Sequence, residues 1–173
     1  QGLETEGTCG EEMEAEIDDL EEPPVSKLLN RAIQGTYPAG STFKLASAYA
    51  GLELGLITPQ TTIDDPGFFL IPGCTGDADS CRVSSPSAES GGVGPVALER
   101  ALTVSSDTYF YKLGNDSWAI HKQDQVGPTA FQDEVEKLGF DAKTGVDLPS
   151  ESAGRIPDPD WLVELDKAIN GGE

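Results

Sequence analysis

Residues 41–55 constrain the fold more than any other part of the sequence, because they are apolar on nearly every face of a helix. The segment follows Pro38 and Gly40, which favour a turn, and it ends at Gly55, which favours a helix stop. A helix that is apolar nearly all round must be covered by other elements, so this pattern predicts a core helix. The apolar residues are Phe43, Leu45, Ala46, Ala48, Tyr49, Ala50, Leu52, Leu54 and Leu56.

The rest of the chain supplies helices and turns but few strands. Residues 58–95 are rich in Gly, Pro, Ser and Asp, which indicates a long loop with one short strand near 68–71. Residues 141–160 are rich in Pro and turn-forming residues. Further helices are predicted over 95–104, with Pro95 near its start, over 108–114, ending on Gly114, and over 131–140, stopped by Gly139.

The charge of the chain excludes some classes of partner. It has 31 Asp and Glu against 11 Lys and Arg, which gives a net charge of −20. This balance argues against nucleic acid, whose phosphates require a basic surface, and against docking on an anionic membrane. Much of the acid lies in residues 1–25, which we interpret as a solvated acidic segment of unknown role. No run of 18 or more apolar residues is present.

The cysteines leave two interpretations open for the loop PGCTGDADSCRV. Cys74 and Cys81 could close a small disulfide ring in an oxidising compartment, or remain as two thiols. A zinc site is not expected, since zinc needs about four ligands and the only histidine, His121, is far along the chain. Cys9 is left without a partner. The sequence therefore predicts no metal and no cofactor.

Ser41 and Lys44 could form a nucleophile and its base. Residues three apart on a helix share a face, so the hydroxyl and the amine could come within hydrogen-bonding distance. An apolar environment disfavours the ammonium form, and a neutral amine could remove the proton that keeps a serine hydroxyl a poor nucleophile. The helix start would also favour developing negative charge. The alternative is that Ser41 caps the helix and Lys44 is a surface lysine.

Three longer stretches together resemble the transpeptidase domain of class B penicillin-binding proteins, especially the elongation-type penicillin-binding protein 2 group. LLNRAIQGTYPAGSTFKLASAYAGLELGLI (28–57) resembles the region of the active-site serine, and ALTVSSDTYFYKLG (101–114) resembles the S-x-N motif that is followed by TYFY. GFDAKTGVDLPSESAGRIPDPDW (139–161) resembles the TGIDLPGE segment and the GR-x-PDP-x-W after it. The resemblance implies an α+β fold of the penicillin-binding protein/serine β-lactamase type. Residues 26–173 would form a partial transpeptidase domain, which contains the helical part of that fold and lacks most of its sheet.

The resemblance also implies an activity, a D,D-transpeptidase that crosslinks peptidoglycan stem peptides through an acyl-serine and is acylated by β-lactams. It implies that Ser41 is the nucleophile, Lys44 the general base and Ser105 the proton relay to the leaving nitrogen. The backbone N–H of Ser41 would form part of the oxyanion hole. The parent protein is expected outside the cytoplasm, anchored in the plasma membrane, with a glycosyltransferase of the elongation machinery as a partner.

Two positions depart from the family pattern. Asp107 stands where the family usually has Asn; it could hold Lys44 by charge, cap the helix that follows, or do both. The K-T-G triplet at Lys143–Gly145 is not expected to be the third catalytic motif, because Pro149 follows it and a strand disfavours Pro. The second half of the catalytic domain, with the true third motif, is therefore expected to be absent.

Two alternative functions stay open: a serine β-lactamase, and a non-catalytic β-lactam-binding or sensor module of the same fold. The other candidate residues are expected to be structural. His121 and Arg155 are expected at the surface, and Tyr109, Phe110 and Tyr111 in the core.

Overall fold

The computed structural model describes residues 29–77, 80–123 and 125–171. The predicted acidic segment 1–25 and Cys9 lie outside the described residues. The chain forms two compact units. The smaller one includes residues 29–36 and 148–152, joined by a hydrogen bond from Ser152 N to Ile33 O of 2.7 Å. The larger one, residues 37–147 and 153–171, contains every predicted site residue.

The predicted core helix is present in two parts. A 3₁₀ turn at Gly40–Phe43 leads directly into helix α1, Lys44–Glu53, and Gly55 follows with a positive φ of 67°. Its alanines face the interior on both sides: Ala48 packs in one hydrophobic cluster and Ala46 and Ala50 in another. The helix is less enclosed than its composition predicts, since Leu45 is 67% exposed.

The segment 58–95 contains more strand than expected. Strand β1 (Ile63–Asp65) pairs antiparallel with β4 (Gly94–Val96), and β2 (Phe68–Leu70) pairs antiparallel with β3 (Arg82–Ser84). Only β2 was predicted, because three-residue strands carry too little alternation to be recognised. A 3₁₀ turn, Pro86–Ser90, separates β3 from β4. Cys74 and Cys81 form a disulfide in the loop between β2 and β3. Of the two interpretations of this loop, the structure has the disulfide ring and not the two separate thiols.

The predicted helix over 95–104 begins later than expected. Helix α2 is Leu98–Thr103, and Pro95 lies in β4, where it faces Asp64 of β1. The assignment of Pro95 to a helix start was therefore wrong. A two-stranded sheet has edges on both sides, so the missing N–H of a proline is tolerated there.

Helix α3, Asp107–Lys122, is longer than expected and passes through Gly114. Glycine inside a helix costs about 1 kcal/mol relative to alanine, but burial of the helical turn that precedes Gly114 can outweigh that cost. Leu113 and Tyr109 are buried to 1% and 0% exposure, and a buried Leu contributes roughly 1.5–3 kcal/mol. Gly51 of α1 allows the close approach, because a Cβ there would lie 2.8 Å from Leu113 Cδ1.

Two further helices complete the larger unit. Helix α4, Ala130–Glu136, is shorter than predicted and places Val135 in the cluster with Ala46 and Ala50. Helix α5, Pro159–Asn170, was not predicted, although Asp158 and Pro159 form a typical helix start. Asp158 Oδ1 accepts a hydrogen bond from Trp161 N at 2.7 Å. No helix among the described residues is long and apolar enough to cross a membrane.

Candidate active site

Ser41 and Lys44 occupy different parts of one continuous turn. Ser41 is exposed on the 3₁₀ turn, whereas Lys44 is the first residue of α1 and is only 9% exposed. The backbone N–H of Lys44 donates to Ser41 O, which joins the turn to the helix. The hydroxyl therefore faces the surface while the amine extends into the protein.

The turn between α2 and α3 brings Ser105 opposite them. Ser106 N donates to Ala101 O at 2.9 Å and Ser105 N donates to Leu102 O at 3.2 Å, which is the hydrogen-bond pattern of a Schellman helix end. The residue at the position of Ser105 must adopt the left-handed conformation, and Ser105 has a φ of 55°. Glycine usually occupies this position, so the chain accepts backbone strain there to place a hydroxyl.

The three side chains form one hydrogen-bonded path. Ser105 Oγ lies 3.0 Å from Ser41 Oγ and 3.0 Å from Lys44 Nζ. Lys44 Nζ also donates to Ser105 O at 2.6 Å and to Asp107 Oδ1 at 2.5 Å. Three acceptors match the three N–H donors of an ammonium group, which explains how this charge is tolerated in a nearly buried position.

Ser41 and Lys44 do not contact each other in the way that the sequence spacing indicated. Among the hydrogen bonds of the described residues, none joins Ser41 Oγ directly to Lys44 Nζ. Because Ser41 lies on a 3₁₀ turn rather than inside the α-helix, the i, i+3 alignment of an α-helical face does not apply to this pair. Ser105 Oγ bridges them instead.

Asp107 pairs with Lys44 and does not cap α3, so one of its two expected roles was wrong. The cap is Ser106, whose Oγ accepts from Tyr109 N at 3.2 Å. The side chains of Lys44 and Asp107 are only 11% and 22% exposed. The ion pair is therefore poorly screened by water and fixes the orientation of the amine.

A small cavity of about 110 Å³ lies beside these residues, with a buried carboxylate in its wall. Asp65, at the end of β1, is 0% exposed and accepts from Ser106 Oγ at 2.5 Å and from Gly67 N at 2.8 Å. Burial raises the pKa of Asp65, but these hydrogen bonds, the neighbouring Thr108 hydroxyl and the charge of Lys44 together outweigh it and hold the pKa below its usual value. The cavity is lined by Ser41, Asp65, Ser85, Pro86, Ser87, Val93, Val104, Ser105, Ser106 and Asp107.

Sequence reasoning missed Asp65 and Ser106 as members of this site. Asp65 lies in the segment expected to be mainly loop, about 40 positions before Ser106, and no motif links the two. The only signal was the Asp-Pro-Gly sequence at 65–67, which indicates a turn but not what its carboxylate contacts.

The remaining candidates lie elsewhere in the structure. Lys143–Gly145 is exposed and forms no strand, as expected. The guanidinium of exposed Arg155 lies 5.9 Å from the ring centre of Trp161. His121 is half-buried rather than at the surface, and it borders a larger groove of about 310 Å³ that contains none of the predicted site residues.

The prediction that three aromatic residues of α3 belong to the core was only partly right. Tyr109 is fully buried and Phe110 packs at the edge of the core, with its ring 5.7 Å from Lys44 Nζ. Tyr111 is 40% exposed, because successive residues of a helix point in different directions.

The sequence matches the family described as penicillin binding protein transpeptidase domain over residues 10–171. The peptidoglycan D,D-transpeptidase MrdA of Acinetobacter baumannii is 39% identical over 151 residues, which are 87% of this chain and 20% of that protein. The protein of the same name from Haemophilus influenzae is 32% identical over 92% of this chain and 21% of its own length. The chain thus spans about a fifth of the length of the curated relatives that it matches.

Solved structures show the same relationship. The structure of Pseudomonas aeruginosa PBP2 in complex with WCK 5153 matches 92% of this chain and 31% of its own, with a TM-score of 0.64 and 30% identity. PBP2 of Helicobacter pylori, in its complex with MreC, matches 88% of this chain and 25% of its own, with a TM-score of 0.64 and 29% identity. The mixed architecture with few strands is consistent with part of that fold.

Proposed function

The chain belongs to the penicillin-binding protein transpeptidase family, and we propose that it is the serine-bearing part of a peptidoglycan D,D-transpeptidase of the penicillin-binding protein 2 type. One observation carries this proposal: the hydrogen-bonded path from Lys44 through Ser105 to Ser41. A nucleophilic hydroxyl, a proton relay and a basic group are joined within 3.0 Å at each step, beside an open cavity.

The substrate of this reaction is a stem peptide that ends in D-Ala-D-Ala. Ser41 Oγ attacks the carbonyl carbon of the penultimate D-Ala and forms an ester, while the C–N bond to the terminal D-Ala breaks. An amine of a neighbouring stem peptide then attacks the ester, which forms the crosslink and returns the hydroxyl to Ser41. A β-lactam takes the same path as far as the ester when its ring amide opens.

Ser105 carries the proton between the other two groups. In the structure Lys44 Nζ donates to Ser105 Oγ, and Ser105 Oγ donates to Ser41 Oγ. Once the ammonium has released one proton to solvent, both hydrogen bonds can reverse, so that Ser105 Oγ donates to Nζ and accepts from Ser41 Oγ, since a hydroxyl both donates and accepts. As Ser41 attacks, its proton moves to Ser105 Oγ and the proton of Ser105 moves to Nζ. The resulting ammonium is stabilised by Asp107 Oδ1 and Ser105 O, and it returns its proton through Ser105 to the leaving nitrogen. The backbone N–H of Ser41 would donate to the developing oxyanion.

Solved relatives support a proposal about the partners and location of the parent protein. Solved relatives include a complex of PBP2 with MreC and a peptidoglycan synthase complex that coordinates polymerisation and crosslinking. We extend this to a glycosyltransferase of the elongation machinery as the partner of the parent protein. The catalytic part would then lie outside the cytoplasm, where the Cys74–Cys81 disulfide would persist.

The two alternative functions, a serine β-lactamase and a non-catalytic β-lactam-binding sensor, would use the same serine and lysine. The similar proteins described above are named transpeptidases or penicillin-binding proteins, which favours crosslinking over β-lactam hydrolysis. A non-catalytic sensor would be acylated without releasing D-Ala from a peptide. The acyl adduct and peptide turnover therefore have to be measured separately.

The test is the intact mass of the chain after incubation with benzylpenicillin. We expect one covalent penicillin per chain, lost completely in Ser41→Ala and retained in the matched Ser90→Ala variant, whose serine is also exposed. Lys44→Met keeps an unbranched side chain as long as the carbon chain of lysine but removes its amine, so it should slow acylation by about 10²–10⁴-fold. The exposed Lys112→Met is its control.

The results separate the alternatives. A stable adduct together with D-Ala release from a stem pentapeptide supports the transpeptidase, and rapid loss of the adduct to hydrolysis supports a β-lactamase. An adduct that persists without D-Ala release supports the sensor. An adduct that survives Ser41→Ala would show that another residue is the nucleophile.

A further inference from the structure

Asp65 is a buried carboxylate that the proposed reaction does not use. Both of its oxygens are occupied, Oδ2 by Ser106 Oγ at 2.5 Å and Oδ1 by Gly67 N at 2.8 Å. The side chain is 0% exposed although it borders the cavity. Burying a carboxylate is unfavourable unless hydrogen bonds replace its hydration, so its presence calls for a specific role.

Asp65 is firmly fixed by its own backbone. Its strand pairs with β4 through Ile63 and Val96, which are 9% and 1% exposed in the core, and Asp65 O accepts from Val93 N at 3.0 Å. Gly92 packs directly on this position, since a Cβ at Gly92 would lie 2.2 Å from Asp65 O. The carboxylate is thus attached to a rigid strand end.

Ser106 connects that strand end to the catalytic turn. Its hydroxyl donates to Asp65 Oδ2 and accepts from Tyr109 N, so one oxygen both caps α3 and ties the turn to β1. The preceding residue, Ser105, has the unfavourable φ of 55°. A strained residue of this kind keeps its conformation only when its surroundings hold it on both sides. The helix end of α2 holds one side, and Ser106 holds the other.

We propose that Asp65 is a positioning residue, which acts through Ser106 to hold the 105–107 turn so that Ser105 Oγ stays between Ser41 and Lys44. The proposal rests on the function proposed above. It assigns no proton transfer to Asp65, because among the hydrogen bonds of the described residues its carboxylate is joined to Ser106 Oγ and Gly67 N and to none of Ser41, Lys44 and Ser105. It predicts that Asp65 affects the rate of the chemical step rather than the binding of the β-lactam.

The first test compares Asp65→Asn with Asp64→Asn in the full chain. The two residues are adjacent on β1, but Asp64 is exposed, so its variant is the matched control. Asp65→Asn keeps an oxygen for Gly67 N and places an amide donor against the Ser106 hydroxyl, whose proton then lacks its acceptor. We expect amide hydrogen exchange at residues 105–109 to accelerate on the order of 10- to 100-fold in Asp65→Asn and to remain unchanged in Asp64→Asn.

The second test measures acylation by a fluorescent penicillin across a range of concentrations. Asp65→Asn should reduce the limiting acylation rate about tenfold or more, with the half-saturating concentration unchanged within about twofold. A variant that loses only stability, with the limiting rate unchanged in the folded protein, would overturn the proposal. If the unaltered chain takes up no penicillin, the proposed function fails, and the hydrogen-exchange comparison still decides whether Asp65 holds the turn.

A double-mutant cycle tests whether Asp65 acts through Ser106. Ser106→Ala removes the linking hydroxyl and should increase exchange at the turn and reduce the limiting acylation rate in the same way. Adding Asp65→Asn to Ser106→Ala should then change both quantities less than about threefold. If the effects of Asp65→Asn and Ser106→Ala on the acylation rate and on exchange multiply fully in the double variant, Asp65 does not act through Ser106. Unchanged exchange at the turn in both single variants would also overturn the proposal.

Discussion

Replacing Ser105 should separate two roles that this residue combines. The hydroxyl bridges Ser41 and Lys44, whereas the backbone holds a φ of 55°. A residue with a Cβ costs about 1–2 kcal/mol in this conformation. Glycine avoids that cost, but it lowers the free energy of unfolding by about 0.4–1 kcal/mol because it gives the unfolded chain more conformational freedom. The balance predicts that Ser105→Gly is more stable than Ser105→Ala by about 0.5–1 kcal/mol.

The acylation rates of Ser105→Gly and Ser105→Ala should not differ in the way that their stabilities do. Both variants lack the hydroxyl, and both keep the bond from Lys44 Nζ to the backbone O at position 105. We therefore expect acylation to fall by a similar factor in the two variants, about 10²–10⁴-fold. Thermal unfolding should differ by about 1–4 °C in favour of glycine.

Ser47 provides the control for this comparison. It lies within α1, where glycine is unfavourable, so Ser47→Ala should be more stable than Ser47→Gly by about 0.5–1 kcal/mol. The reasoning is refuted if alanine is the more stable substitution at both positions, because Ser105 would then not hold a left-handed conformation in solution. Unchanged acylation in both Ser105 variants would refute the relay instead.

Three further predictions concern stability. Gly92→Ala should destabilise the chain by about 2 kcal/mol or more, because its Cβ would overlap the backbone at Asp65. Gly114→Ala should stabilise the chain by about 0.5–1 kcal/mol, because a Cβ there enters open space on α3. Urea unfolding measures the free-energy change of both variants. The lowered pKa of Asp65 implies a stability contribution that is complete above its ordinary value of 3.8 and is lost as the pH falls through the lower folded value. Urea unfolding between pH 7 and pH 2.5 should show that loss, and Asp65→Asn should abolish it. Asp107→Ala should cost about 1–3 kcal/mol by leaving Lys44 without its carboxylate, and Asp107→Asn should recover part of that because the amide still offers an acceptor.

Much of the site could be predicted from the sequence, because its residues occur in two short motifs. Ser41 and Lys44 stand in one motif and Ser105 and Asp107 in the other, and the structure brings all four together as expected. Their roles as nucleophile, base and relay remain predictions. The details of contact were not predictable, since a 3₁₀ turn at Gly40–Phe43 and an α-helix place a side chain three positions away in different directions.

The short strands and the helix ends were the least predictable parts of the fold. Pro95 and Gly114 are local helix signals that tertiary packing overrides, the first by pairing with Asp64 and the second within a helix that buries Leu113. Helix α5 was recognisable from Asp158 and Pro159, but the Pro-rich stretch before it obscured the start.

The sequence by itself determined the family, the small-residue core helix and the chemical groups of the site, because each of these depends on residues close together along the chain. Only the tertiary structure decided that Ser105 lies between Ser41 and Lys44, that Ser106 caps α3 in place of Asp107, and that Asp65 accepts a hydrogen bond from Ser106. The physical reason is that a buried carboxylate must find its hydrogen-bond donors wherever packing places them. For Asp65 that donor is 41 residues away, beyond the reach of any local pattern.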